Sequence, residues 1–310
     1  MNAIVLGGTR FIGRAVVEEL VATGHDVTVV HRGESEPADL VDVEHVHADR
    51  TALPRLRGDV LVDTYAMSGA DADAALAAAG DLRLVVLSSQ DVYAAHGELH
   101  AGGHGHAVPV DETAPVRTTR LPYGAADYEK LDVEARYLAR GGTVLRLPAT
   151  YGEHDEQARE EFVLRRVRAG RTAMPFGAGN FLWTRAYVGD VAVAVRLAAE
   201  HDGLGGEVLN IGERRTWTIR RWAEEIAAAA GAELELVTVP PKVLPDDLVI
   251  TGALGQHVLT DSGKARTLLG WSDRDPVEAV QRSVAWHLAH PPEPAGGDFR
   301  ADDEALRSAR

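Results

Sequence analysis

Short apolar runs alternate with longer segments of helical character through residues 1–150. The run Ala3–Leu6 breaks at Gly7-Gly8 and resumes at Phe11-Ile12, ahead of a helical stretch from Arg14 to Thr23. Asp26–His31, Val43–His47, Asp59–Asp63 and Leu84–Leu87 are further short runs rich in β-branched residues, with an alanine-rich helix between Ser68 and Gly80. Runs that are apolar on both faces, separated by helices, predict a parallel sheet covered on both sides. In such sheets ligands meet the carboxyl ends of the strands, and the polar clusters of this half lie there.

The second half is less regular. A helix through Val163, Leu164 and Val167 ends near Gly170, and the loop Phe176–Arg185 enters another strand. Thr216–Ala230 is an amphipathic helix with Trp222 and Ile226 on one face, followed by a strand over Leu234–Val239 and a break at Pro240-Pro241. Two more helical pieces, Thr260–Trp271 and Pro276–His290, precede a Pro/Gly-rich stretch that reads as the end of the fold. The expected division is a dinucleotide-binding domain over 1–150 and a smaller substrate lobe over 151–290, with 184–212 returning to the first domain. Residues 291–310 are expected to form a disordered tail.

Composition narrows the chemistry. The absence of cysteine removes disulfides, thiolate catalysis and cysteine-ligated zinc. A formal net charge of −15 has the wrong sign for a surface that gathers phosphate backbones, so nucleic acid is not an expected partner. No apolar run approaches the ~18 residues of a membrane span, and the N-terminus reads as a strand rather than a signal peptide. A cytoplasmic protein without membrane partners is therefore expected.

The glycine turn between the first strand and first helix carries the main functional signal. Gly7, Gly8, Thr9, Arg10, Phe11, Ile12 and Gly13 form a strand–turn–helix in which backbone N–H groups and the positive helix end can face a pyrophosphate. Arg10 stands where the middle glycine of such turns normally sits. The second strand ends at His31-Arg32-Gly33, with an arginine and no acid. An acidic residue there bonds a ribose 2′-hydroxyl, whereas an arginine accommodates a 2′-phosphate, so Arg32 and Arg10 favour NADP(H) over NAD(H). The competing reading of Arg32 is a solvated loop residue.

Several ordered motifs resemble the extended short-chain dehydrogenase/reductase superfamily, the NAD-dependent epimerases and dehydratases. These are the Gly-Gly-Thr-Arg-Phe-Ile-Gly turn, Asp49-Arg50, Ser88-Ser89 before Val92-Tyr93, Leu145-Arg146-Leu147-Pro148 with Tyr151-Gly152, Arg185–Val191, Asn210-Ile211-Gly212 and Leu268-Leu269-Gly270-Trp271. The similarity is greatest to the superfamily's atypical branch and runs through most of the chain. It implies a Rossmann-type doubly wound α/β fold with a smaller C-terminal substrate lobe. It further implies Asp49 and Arg50 beside the adenine, Tyr65 and Ala66 lining the cofactor, and Pro148 and Ala149 near the nicotinamide. Asp190 and Asn210 are expected to hold loops together.

The superfamily's reaction centre combines a tyrosine, a lysine four residues later and a serine or threonine after the fifth strand. Ser89 takes the serine position. The segment Pro122-Tyr-Gly-Ala-Ala-Asp-Tyr-Glu-Lys130 does not supply the pair: Lys130 would require a tyrosine at Ala126, Tyr128 a lysine at Asp132, and Tyr123 a lysine at Asp127. On one regular helix Tyr128 and Lys130 would point about 160° apart. A helix that begins only near Tyr128 relaxes this restriction. Tyr128 is the preferred phenol and Tyr123 the second, with Lys130 either in the site or a surface residue.

Asp91, Tyr93, Trp183 and Arg185 are candidate substrate contacts; Tyr93 could instead pack, and Arg185 could instead anchor Asp190. His96, His100, His104 and His106 fall in a glycine-rich stretch that reads as a flexible loop above the site, though clustered imidazoles can bind metal or move protons. No metal site is expected. The leading reading is an NADP(H)-dependent oxidoreductase or epimerase acting on a carbinol or carbonyl carbon of a small metabolite. The other class is a catalytically inactive dinucleotide-binding regulator or scaffold. The resemblance also implies a possible homodimer.

Overall fold

Strand β1 (Asn2–Leu6), the first apolar run, lies at the middle of the main sheet, and helix α1 (Phe11–Ala22) leads from its carboxyl end to β2 (Asp26–His31). The computed structural model describes residues 1–121, 124–293 and 297–309. After β3 (Glu44–His47) and β4 (Val60–Asp63) come α2 (Gly69–Ala79), β5 (Arg83–Ser89), α3 (Ala94–His100), α4 (Lys130–Ala139) and β6 (Thr143–Leu147). The second half contains β7 (Ala149–Tyr151), α5 (Glu161–Arg168), β8 (Ala173–Phe176), β9 (Arg185–Tyr187), α6 (Val188–Glu200) and β10 (Val208–Asn210). It continues through α7 (Ile219–Ala229), β11 (Glu235–Thr238), α8 (Gly263–Leu269), α9 (Pro276–Ala289) and α10 (Arg300–Ser308).

Seven parallel strands run in the order β10-β6-β5-β4-β1-β2-β3. The strand order reverses between β1 and β4, the crevice at which such sheets bind dinucleotides. Every residue of β4 is buried, as both faces of a parallel strand require. One face packs Val16, Val17 and Leu20 of α1 and Val191, Ala194 and Val195 of α6 against the sheet; the other packs Ala72, Ala75 and Leu76 of α2 and Val133 and Tyr137 of α4. A separate core of Phe162, Met174, Phe176, Trp222, Ile226 and Val280 forms the second lobe, flanked by the small sheets β8–β11 and β7–β9.

The C-terminal segment departs from expectation. Residues Arg300–Ser308, expected to be disordered, form α10, whose Asp302 accepts two hydrogen bonds, at 2.7 and 2.8 Å, from the fully buried Arg166 of α5. The chain beyond the Pro/Gly-rich stretch thus supplies an element that neutralises a buried guanidinium, a need invisible in local composition. The expected flexible loop after Tyr93 begins instead with α3, where Ala95 and His96 are buried and Leu99 packs toward the second lobe.

Candidate active site

The turn after β1 leaves little room for side chains. Gly7 has φ 83°, and a Cβ on Gly13 would stand 2.0 Å from the Gly7 carbonyl oxygen. A Cβ on Gly8 would meet Val17 at 2.7 Å and Val29 at 2.9 Å, so this glycine lets α1 lie against β2. Among the described residues no side chain caps the N-terminus of α1, and no acid occupies its first turn. The helix end is thus open to an anionic ligand, and the turn fits a pyrophosphate group.

Around this turn the expected contacts divide. Tyr65 is 59% exposed, Ala66 and Ala149 are buried, and Pro148 is half-buried. Thr9 is buried, while Phe11 and Ile12 are half-buried against the second-lobe core. The exposed guanidiniums of Arg10 and Arg32 pair with the exposed carboxylates of Glu156 at 3.3 Å and Glu34 at 2.8 Å. Asp49 caps its own turn by accepting from Thr51, and its carboxyl is held below the usual range chiefly by that side-chain hydrogen bond.

Arg50 is corrected. Its guanidinium forms two 2.8 Å hydrogen bonds to the fully buried Asp63, which also accepts from Tyr137 at 2.7 Å. It ties the turn after β3 to the end of β4. A buried carboxylate needs such a partner, and the motif alone does not reveal that demand.

At the end of β5, Ser89 Oγ accepts from the Asp91 amide at 3.1 Å and caps a short 3₁₀ turn over Gln90–Val92. That turn carries Asp91 inward. Asp91 is 5% exposed; its Oδ2 accepts a 2.5 Å hydrogen bond from Tyr128 Oη, and among the described residues its Oδ1 has no hydrogen-bond partner. Burial pushes the Asp91 carboxyl up, against the opposing effects of the Tyr128 hydrogen bond, Arg117, Ser89 and Lys130.

The helix after this segment begins at Lys130, with Glu129 as its N-cap, so Tyr128 lies before the regular helix and the 160° restriction does not apply. Lys130 is 5% exposed and donates to the carbonyls of Ala66 at 2.6 Å and Leu87 at 3.2 Å, which removes the surface reading. Desolvation lowers its ammonium to about 8. Ala126, at the position a phenol would need relative to Lys130, is exposed on a turn. Tyr123 lies outside the described residues.

Two buried ion pairs frame these groups. Arg117 binds Glu129 through hydrogen bonds of 2.9 and 2.6 Å and donates from Nε to the Asp91 carbonyl at 2.9 Å, joining the turn that carries Asp91 to the residue after Tyr128. Arg146 binds Glu134 through hydrogen bonds of 2.9 and 2.7 Å, and Glu134 accepts from Ser88 at 2.6 Å. Sequence reasoning missed Arg117, Glu129 and Glu134, because their pairing depends on loops that meet only in the fold.

Tyr93 and Arg185 are also corrected. Tyr93 is fully buried, donates to Asn210 at 2.8 Å and lies under the Arg146 guanidinium, so the packing alternative prevails over substrate contact. Arg185 is 2% exposed; its guanidinium lies 4.2 Å from the Trp222 ring centroid and donates to the Trp217 carbonyl at 3.3 Å. It neither faces solvent nor anchors Asp190, which is held by Arg274 at 2.7 Å. Trp183 is half-buried and bridges to Val258. His96 is buried and lowered to about 4 chiefly by desolvation, with His100 at 3.4 Å, while Gln256 bonds the His106 backbone at both ends.

Comparison with known proteins identifies the family and the fold. The family model described as "NAD dependent epimerase/dehydratase family" matches residues 3–72 and 63–212. The chain is 26% identical to the chloroplast stem-loop binding protein of 41 kDa b from Arabidopsis thaliana, covering 98% of this chain and 83% of that protein. It is 29% identical to 2′-dehydrokanamycin reductase from Streptomyces kanamyceticus, covering 80% and 72%. Its fold matches UDP-glucose-4-epimerase from Stenotrophomonas maltophila, solved with bound NAD and formylated UDP-arabinopyranose, with a TM-score of 0.70, 22% identity and coverage of 93% and 98%. No helix among the described residues is long and apolar enough to cross a membrane.

Proposed function

Because the chain belongs to the NAD dependent epimerase/dehydratase family, we propose that it is an NADP(H)-dependent oxidoreductase or epimerase acting at a carbinol or carbonyl carbon of a small metabolite, with Tyr128 moving the proton. The observation that carries this reading is the 2.5 Å hydrogen bond from Tyr128 Oη to the buried Asp91, at the carboxyl end of β5. A bound nicotinamide dinucleotide would supply or accept the hydride at the reacting carbon.

The chain's own groups then manage the proton. In the oxidative direction Tyr128 takes the proton of the substrate hydroxyl and passes its own to Asp91 Oδ2; in reduction both transfers reverse. A carboxyl raised by burial is better suited to hold that proton than an exposed one. Lys130, set behind the site between the Ala66 and Leu87 carbonyls, supplies positive charge that limits the rise. This arrangement differs from a Tyr/Lys pair on one helix face: the carboxylate beside the phenol receives its proton instead of lowering its pKa.

NADP(H) is favoured by Arg10 and Arg32. Their surface ion pairs, of a kind worth about 0–1 kcal/mol, are readily exchanged for a 2′-phosphate. The last residue of β2 is His31 rather than an acid. The test is NADPH oxidation against a panel of small aldehydes, ketones and keto sugars. Tyr128→Phe should cut turnover at least about 100-fold while leaving NADPH affinity unchanged. Unchanged turnover would move the role to Tyr123 or a histidine.

A further inference from the structure

The edge of the main sheet carries a cluster that the dinucleotide reading does not use. His45 and His47 alternate by two along β3, so their side chains share one face, and His31 is paired in register with His47 across β2 and β3. The His31 ring lies 5.0 Å from that of His45 and 4.9 Å from that of His47, edge-on to both. Glu36, in the loop between the strands, reaches into the same space. One ligand atom from each of His31, Glu36, His45 and His47 lies within 4.8 Å of all the others.

We infer that these four side chains form a binding site for a divalent transition-metal ion, of which zinc is the best match. Three imidazoles and one carboxylate are a donor set suited to Zn²⁺, whose bonds of about 2.0–2.2 Å place tetrahedral ligand atoms about 3.3–3.5 Å apart. His31 Nε2 already stands 2.8 Å from His45 Nδ1 and 3.5 Å from Glu36 Oε1, and His47 Nε2 contacts the same Glu36 oxygen. Modest side-chain rotations therefore close the shell.

The metal-free arrangement predicts how binding proceeds. The Gly33 amide donates to His31 Nδ1 at 3.1 Å, so the neutral ring carries its proton on Nε2, directed at His45. Ligation through Nε2 moves that proton to Nδ1 and turns the Gly33 amide away; Gly33 is exposed, in a turn with φ 79°. The ion would join the end of β2, the following loop and edge strand β3, next to Arg32. A metal there would tie the Glu36 loop to the edge of the sheet.

The test is calorimetric titration of Zn²⁺ into the tag-free, chelator-treated full chain without dinucleotide. One equivalent should bind with a Kd of about 1 μM or tighter, and melting temperature should rise with zinc. His47→Ala should weaken binding at least about 30-fold and Glu36→Gln about tenfold, whereas His96→Ala/His100→Ala should leave it unchanged. If His47→Ala fails to fold, as judged by far-UV circular dichroism, the exposed Glu36→Gln variant decides. Affinity weaker than about 100 μM, equal affinity in the decisive variant, or loss only in the His96/His100 variant would overturn the inference.

Discussion

Asp91 is the residue whose environment most changes the expected chemistry. Its Oδ2 holds the Tyr128 hydroxyl while its buried Oδ1 is left without a partner among the described residues. A buried carboxylate oxygen in that condition costs roughly 1–3 kcal/mol and is tolerated where a ligand completes it. The proposed cofactor choice likewise rests on single side chains. Arg32→Ala should erase most of a preference for NADPH over NADH, measured by quenching of intrinsic fluorescence on titration; equal affinities in the unaltered protein would remove Arg32 from the account. Glu160 gives a stability test with a defined sign. Burial raises its carboxyl to about 7, so the protonated form is favoured in the fold, and its contribution, present below the ordinary value of 4.5, is lost as pH rises from there through 7. Glu160→Gln should therefore raise the unfolding free energy in a urea titration more at pH 8 than at pH 4.5, with a difference on the order of 2–3 kcal/mol. Equal shifts at both pH values would show that Glu160 is not buried as an acid.

At the scale of elements, the fold is tied by charges that join distant segments. Arg166 of α5 meets Asp302 of α10, and also Asp247 at 2.8 Å, so α10 is part of the second lobe. Asp302→Ala should destabilise the protein by about 3 kcal/mol in a urea titration, because it strips a fully buried guanidinium of one of its carboxylates. A loss below about 1 kcal/mol would mean that Asp247 alone suffices. The same logic separates what was legible in the sequence from what was not. The apolar runs before Gly7, His31 and Asp63 announced β1, β2 and β4, because strands buried on both faces leave continuous hydrophobic signatures. Pairings such as Arg50–Asp63, Tyr93–Asn210 and Arg117–Glu129 leave none, since their partners are 13, 117 and 12 residues apart and meet only after the strands are ordered. The resemblance therefore placed Arg50 only beside an adenine, and position after the fifth strand made Tyr93 a candidate substrate contact. The start of α4 at Lys130 likewise depends on the Glu129 cap and its pair with Arg117, which free Tyr128 from the helix.

Across the whole molecule, the strand order places the glycine turn, the end of β4 and the end of β5 along one edge of the seven-stranded sheet, with the second lobe built mainly from the chain after β6. The turn that opens α1, the Ala66 carbonyl beside Lys130 and the Tyr128–Asp91 pair thus belong to the same carboxyl end of the sheet. Family membership accounts for the scaffold, while the proton handling proposed for Tyr128 and Asp91 differs from that of a tyrosine with a lysine four residues later. The measurement that bears most directly on this account is a crystal structure with NADP⁺ bound. It should show the pyrophosphate at the N-terminus of α1, the 2′-phosphate beside Arg32, and Tyr128 Oη facing the open space over nicotinamide C4, within about 3 Å of where a substrate oxygen would sit. A nicotinamide with Tyr128 turned away from C4, or with another side chain in that position, would contradict it.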